Sequence, residues 1–293
     1  MPDLVYLHRY TNASKYATMV RRYFPDCRIV YCVADLHFLR MERQAAIEGS
    51  AEAIAAAAAQ RRTEMAAVQS VDYVIVHSPV EAAMLREAAP QLPIGVVPWT
   101  VRERPTPLPF SERSGSAFVG GFGHPPNGDA IQYFVSRILP LLQRQAPDCT
   151  TYLIGSKMPE KIMGLNLPGL KPLGFVPVLA DILHKLRCTI VPLRYGAGIK
   201  GKVLESFAHG LPCVMSEVAA EGLELPEELA WLVARSPAEF AAKVGRLHND
   251  AAFNEQMSRA GLRYIAERNS AAVVRQALQA AGSADAEALA AAE

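Results

Sequence analysis

The sequence predicts an α/β protein made of two successive series of parallel strands covered by helices, and three observations carry that expectation. Short runs rich in Val and Ile, at Leu4–Leu7, Arg28–Val33 and Tyr73–Val76, alternate with stretches of helical period, the pattern of strands buried on both faces. A second series follows, with strands at Ala117–Val119, Thr151–Ile154, Cys188–Pro192 and Cys213–Met215 and helices at Ala130–Gln145, Val178–Leu186 and Lys200–His209. Between the two lie Pro98, Pro105, Pro107, Pro109 and Ser111–Ser116, where repeated proline removes amide donors and fixes φ, so neither helix nor sheet continues.

The expected organisation is therefore a first domain over residues 1–100, a linker over 101–116 and a second domain over 117–268. Within the first domain, Leu39–Gln69 is dominated by strong helix formers and interrupted only by Gly49-Ser50, so one long or broken helix is expected. Residues 237–280 read as helical, with starts at Ser236-Pro237 and Asn269-Ser270, and the piece 269–282 is placed as a helix able to cross back to the first domain. The Ala-rich, acidic tail 283–293 is expected to fray.

Composition narrows the function. With 293 residues, half of them apolar, the chain can bury a sizeable core. Thirty basic residues balance 29 acidic ones, without long runs of one sign, which disfavours nucleic acid as a partner. Five cysteines form no C-x-x-C pair, no metal site is read, and no apolar run has the length of a membrane span. A cytosolic location is expected, with peripheral contact at the inner face of a membrane left open.

The most informative segment follows the strand Cys188–Pro192: Tyr195-Gly196-Ala197-Gly198-Ile199-Lys200-Gly201-Lys202-Val203-Leu204-Glu205, with the helix stopping at Gly210. Small loop residues let backbone amides approach a ligand, and free amides at a helix start favour an anion, with Lys200 and Lys202 adding charge. The plain reading is a tight turn with solvated lysines and a surface pair between Lys202 and Glu205. The functional reading is an anion site in which Glu205 accepts hydrogen bonds from two vicinal hydroxyls. Spacing alone serves both.

The block from Val191-Pro192 through Gly196-Ala197-Gly198-Ile199-Lys200, Lys202-Val203-Leu204-Glu205 and Gly210-Leu211-Pro212-Cys213-Val214 to Glu221-Gly222-Leu223 resembles the donor-site signature of GT-B glycosyltransferases of family 4. Phe118-Val119-Gly120-Gly121, His124-Pro125-Pro126-Asn127, Ile154-Gly155 and Gly174-Phe175-Val176 extend the likeness, which covers about Ala117 to Glu224. The resemblance implies two Rossmann-like domains and a retaining, metal-independent transfer of a sugar from a nucleoside diphosphate, with no cofactor beyond the donor. Lys200 would neutralise the diphosphate near the amides of Gly198 and Ile199, Glu205 would hold the ribose, and Phe175-Val176 would meet the base. Such groups stabilise charge building on the leaving phosphate.

In the first half, Val30-Tyr31-Cys32-Val33-Ala34-Asp35-Leu36-His37 resembles the strand after which the family places a catalytic or acceptor-side histidine. Asp35 and His37 are the candidates, although an Asp before a helix also reads as an N-cap. His8-Arg9 stands at a similar place with a weaker claim, and Val76-His77-Ser78-Pro79-Val80-Glu81 resembles the last strand and turn. Two departures stand out. Counting back from Glu205, the family's first glutamate falls on Ala197, which leaves the sugar open. The usual Arg and Lys after Gly121 are missing, leaving His124 or Asn127 as substitutes. A first domain of about 100 residues also looks short, so an incomplete N-terminal domain is expected, with an exposed sheet edge covered by a partner, a second copy or solvent-adapted residues. A saccharide, lipid-linked saccharide or protein is the expected acceptor. A non-catalytic nucleotide-binding module and a GT-B nucleotide-sugar epimerase are the competing readings.

Overall fold

The structure, a computed structural model, describes residues 1–290. Ten strands form two parallel sheets: β1 (Leu4–His8), β2 (Arg28–Cys32), β3 (Tyr73–Val76), β4 (Ile94–Val96), β5 (Ser116–Val119), β6 (Thr151–Ile154), β7 (Leu170–Gly174), β8 (Cys188–Val191), β9 (Cys213–Ser216) and β10 (Val233–Ala234). The first sheet has the order β1-β2-β3-β4, the second β10-β9-β8-β5-β6-β7. Every pairing is parallel. The fold is α/β as expected, and the second sheet has six strands where sequence patterning marked four. Leu170–Gly174 is hidden by Pro172, and Val233–Ala234 is too short to show a period.

Each sheet has its own core. Ile29, Tyr31 and Val74 pack with Phe38 and Leu85 in the first, while Phe118, Ile190 and Val214 pack with Phe134, Phe207 and Val244 in the second. β1 is an edge, bonded on one side to β2, and it leaves Leu4 and Tyr6 about half exposed.

Several helical boundaries differ from expectation for identifiable reasons. Leu39–Gln69 is two helices, His37–Glu48 and Ala51–Gln69, because Gly49 takes φ 66° and Ser50 caps the next amide turn through Ala53. The helix expected over 130–145 starts at Pro125 and widens into a π turn at Phe134–Ile138 before Leu139–Gln145. Pro140 has no amide to continue the α ladder, so the wider turn accommodates it. Val178–Leu186 contracts to Ala180–Leu183. The C-terminal region breaks additionally at Asp250, whose side chain accepts from the Phe253 amide and starts the helix Ala251–Arg268. The last helix runs Ala271–Ala290, so alanine propensity carries it through most of the tail expected to fray, and 291–293 lie outside the described residues.

Asp35 is not an N-cap. The cap position of His37–Glu48 is Leu36, and the orphan amides go to two buried carboxylates from elsewhere in the domain. Glu64 takes the His37 and Phe38 amides at 3.0 and 2.8 Å, and Glu81 takes the Leu36 amide at 2.9 Å. This leaves the Asp35 carboxylate free to face the cleft.

The chain crosses between the two halves twice. The prolyl stretch runs along the second domain, with the Arg104 and Thr106 amides bonded to the Ala208 and His209 carbonyls. The return crossing lies beside the first: the Val101 amide donates to the Asn269 carbonyl at 2.9 Å, and Asn269 Nδ2 donates to the Trp99 carbonyl at 2.8 Å. Beyond it, Val274, Ala277 and Ala281 pack against Val30, Tyr73 and Ile75 on the first sheet.

Glu64→Ala should lower the unfolding free energy by ~1–3 kcal/mol, the cost of stranding buried amides, in urea denaturation. An unchanged midpoint would mean that water replaces the carboxylate.

Candidate functional site

The site is assembled where β8 and β5 of the second domain end opposite β1 and β2 of the first. After β8 the chain enters Gly196–Ile199 and then the helix Gly201–Ala208, which Gly210 ends with φ 65°. Gly198 has φ 66°, and a Cβ there would stand 3.0 Å from Asp35 Cβ and 3.2 Å from the Ala34 carbonyl. Only glycine allows that approach, so the loop is pressed against the first domain. Ala197 packs on the first domain's core. Gly201 is covered by the Trp99 indole.

A cavity of about 470 Å³ opens between the halves. Asp35 and His37 line one side, and Lys200, Lys202, Gly196 and Ile199 the other, with His124 and Asn127 at the second domain's wall. Eight of the sequence candidates thus meet in one place. Gly198 braces the loop from behind, and Gly121, Phe175, Val176 and Glu205 lie outside the lining. Phe175 is 70% exposed on the loop after β7.

Lys200 is 7% exposed, and its Nζ donates to the Gly198 carbonyl at 2.6 Å. Burial lowers its pKa to about 8, against the opposing pull of Glu221 and Glu81. Lys202 Nζ donates to Asn127 Oδ1 at 2.6 Å and sits 4.3 Å from the centre of the Phe118 ring. Burial takes it to about 7. Asn127 Nδ2 in turn donates to the Gly121 carbonyl at 2.7 Å, so Asn127 holds Lys202 in place and supplies no charge of its own. His124 is pushed down to about 4 by desolvation at the cleft wall and by the Arg40 charge, so it is neutral near pH 7. The two expected substitutes for the family's missing cations are therefore uncharged.

Asp35 is held by His37 Nε2 at 3.2 Å and by Arg40 Nε at 3.6 Å. Burial pushes its pKa up, but His37, Arg40 and His124 together bring it below the ordinary value, so it is a carboxylate. The His37 ring is fixed edge-on against Tyr10, centroids 4.8 Å apart.

Glu205 does not pair with Lys202. It accepts from His209 Nε2 at 3.2 Å, and His209 Nδ1 stands 3.2 Å from His184 Nε2. The His209 bond outweighs partial burial and keeps the Glu205 pKa low. Its side chain is 39% exposed beside Lys202, at a crevice of only about 20 Å³.

Sequence reading missed the residues that tie the two walls together. Arg43 donates to both Glu221 oxygens, at 2.8 and 2.7 Å, and to the Gly196 carbonyl at 2.6 Å, clamping the glycine loop from the first domain. Glu81 is buried at the same seam. Its pKa is pushed up to about 7 by burial, although the Gly198 amide lies near enough to favour its charge, and Oε2 has no partner in hydrogen-bond geometry. Arg40 and Arg43 follow His37 at three-residue intervals on one helix, a helical-face signal that could have flagged them.

With the geometry in view, comparison with known proteins becomes specific. Residues 113–250 match the family model described as Glycosyl transferases group 1. The match covers a little under half of the chain. The fold of the chain is GT-B, as solved glycosyltransferase structures with little sequence likeness show. TarM aligns with a TM-score of 0.75 at 11% identity, over 95% of this chain and 54% of that one. S. aureus TarM in complex with fondaparinux, α-GlcNAc-glycerol and UDP gives 0.74 at 9%, over 95% and 55%. HepE of Anabaena in complex with UDP-glucose gives 0.71 at 14%, over 96% and 79%. The chain spans about half the length of the TarM chains it matches. No curated protein matches it in sequence. Among the described residues, no helix is long and apolar enough to cross a membrane.

An oxyanion bound against Lys200 and Lys202 favours their protonated forms. Binding of inorganic pyrophosphate should therefore take up protons at pH 8, and its affinity should fall between pH 7 and 9. Calorimetry in buffers of different ionisation enthalpy reads both effects, and a pH-independent affinity would place the anion elsewhere.

Proposed function

We propose that the chain is a glycosyltransferase that moves a sugar from a nucleoside-diphosphate sugar to an acceptor, with retention of anomeric configuration and without a bound metal. The observation that carries this reading is the pairing of buried Lys200 and half-buried Lys202 in one interdomain cavity with the Gly196–Ile199 loop, opposite the Asp35 carboxylate. The group 1 family match and the GT-B fold supply its context.

In this reading the diphosphate lies against Lys200 and Lys202 at the open end of the helix Gly201–Ala208. As the glycosidic bond breaks, negative charge grows on the leaving β-phosphate, and ammonium groups already in place stabilise it without rearrangement. A partly desolvated lysine is well suited to this. Its charge is least favourable when the site is empty and most favourable when the anion is fully developed, so the stabilisation is concentrated in the transition state. Glu205, oriented by His209 beside Lys202, takes the ribose hydroxyls.

Asp35 faces the donor from the acceptor side as a low-pKa carboxylate, a poor proton acceptor but a good stabiliser of positive charge on the sugar. His37, bonded to Asp35 through Nε2, is the proton acceptor for the incoming hydroxyl in this scheme. The sugar faces Ala197 where the family offers a carboxylate, so its recognition falls to backbone groups and to the first domain.

Thermal shift with UDP, GDP, ADP and TDP tests the reading first: at least one should raise the melting temperature, and Lys200→Ala should abolish the shift. Stabilisation by none of the four would overturn the proposal. Glu205→Ala should weaken the nucleotide about tenfold and leave pyrophosphate unchanged, since it removes only the ribose contact. Asp35→Asn should keep nucleotide affinity while cutting slow hydrolysis of the cognate sugar nucleotide at least a hundredfold, and the anomer of the released sugar read by NMR tests retention.

A further inference from the structure

Arg9, at the end of β1, has φ 68° and ψ 150°, a region that essentially only glycine occupies without strain. Its backbone explains the route but not the residue. The Arg9 amide donates to the Cys32 carbonyl at 3.0 Å, and its own carbonyl accepts the Asn12 and Ala13 amides at 3.1 Å, starting the helix Tyr10–Tyr23. Glycine would make all three bonds in a relaxed conformation. What the strain preserves is the side chain. The guanidinium is exposed, lines the interdomain cavity, and has no hydrogen-bond or ion-pair partner among the described residues.

Deeper in the same cavity stands Arg40, whose side chain is 13% exposed. Its Nε is buried without a hydrogen bond, and its nearest carboxylate, Asp35, stands 3.6 Å away and is shared with His37. The first domain's wall thus carries two arginines for one carboxylate, and the wall opposite carries Lys200 and Lys202. A diphosphate on the lysine wall leaves the arginine wall electrostatically unmatched.

We infer that Arg9 and Arg40 form a second anion site, and that the acceptor carries a phosphate monoester. A dianion matches two guanidinium groups, whose planar donors take phosphate oxygens in pairs. The inference rests on the proposed transfer reaction, because it assigns the lysine wall to the donor. It also explains why a strained arginine stands where glycine would fold more easily.

The test is a titration of UDP-saturated protein with inorganic phosphate, glycerol 3-phosphate, glycerate and glycerol, followed by melting temperature. Phosphate and glycerol 3-phosphate should give saturable stabilisation, and glycerol none. Arg9→Gly should weaken both at least tenfold while melting, without ligand, at the same temperature as the wild type or higher. Arg40→Gln should weaken them likewise. Equal phosphate affinity in the wild type and Arg9→Gly, or no saturable effect in the wild type, would overturn the inference. Stabilisation by glycerate with none by glycerol 3-phosphate would overturn the phosphate assignment in favour of a carboxylate acceptor. If none of the four nucleotides binds, the transfer reading falls by itself. The phosphate titration of Lys200→Ala without UDP, with and without Arg9→Gly added, then still reads the arginine wall.

Discussion

The cleft exists because a glycine loop of one domain is pressed directly onto a strand end of the other. Gly198, in a left-handed conformation, meets Ala34 and Asp35 so closely that a side chain would crowd them, and that contact sets how the lysine wall and the Asp35 wall face each other. Charged groups surround it: Arg43 reaches across to Glu221 and to the Gly196 carbonyl, and Glu81 sits buried behind. The desolvation that lowers the lysines follows from this closeness. The same walls pulled apart would rehydrate Lys200 and restore its ordinary proton affinity.

Two chemical characters share this small space. The lysine wall is a linear motif on one loop and helix start, so its geometry is fixed by a few neighbouring residues. The opposing wall is assembled from the ends of β1 and β2 and the helix after β2, and its residues are held by carboxylates distant in the chain, Glu64 and Glu81. Because these two take the amides that Asp35 would otherwise cap, Asp35 is left facing the cavity. A structural burden borne by two buried acids leaves a third turned to the cavity.

This division explains what could be read in the sequence. Much of the second domain was legible because four of its strands are apolar runs, its turns carry glycine, and Lys200, Lys202 and Glu205 follow one another across a single helix start. The GT-B architecture followed from the same block. Arg43, Arg40 and Trp99 were not legible, since their meaning depends on contacts with residues far along the chain, such as Glu221 and Gly201, that only the packed domains create. Asp35 was ambiguous for a physical reason: a cap and a cleft carboxylate occupy the same sequence position, and the choice is made by Glu64 and Glu81. His124 and Asn127 line the cavity without adding charge to it, because desolvation and the neighbouring Arg40 keep His124 neutral and Asn127 is engaged by Lys202.

The two crossings between the halves have a mechanical consequence. Trp99–Val101 and Asn269 are stitched together by two hydrogen bonds, so outgoing and returning chain form one narrow strap at a single edge of the cleft. Two bodies joined along one such line keep a single easy freedom, rotation about the strap, and resist sliding or separation. The Arg43 clamp joins the two walls at a different place, through Glu221 and the Gly196 carbonyl. Any rotation about the strap that parts the walls must therefore break the Arg43 bonds to Glu221 and to the Gly196 carbonyl.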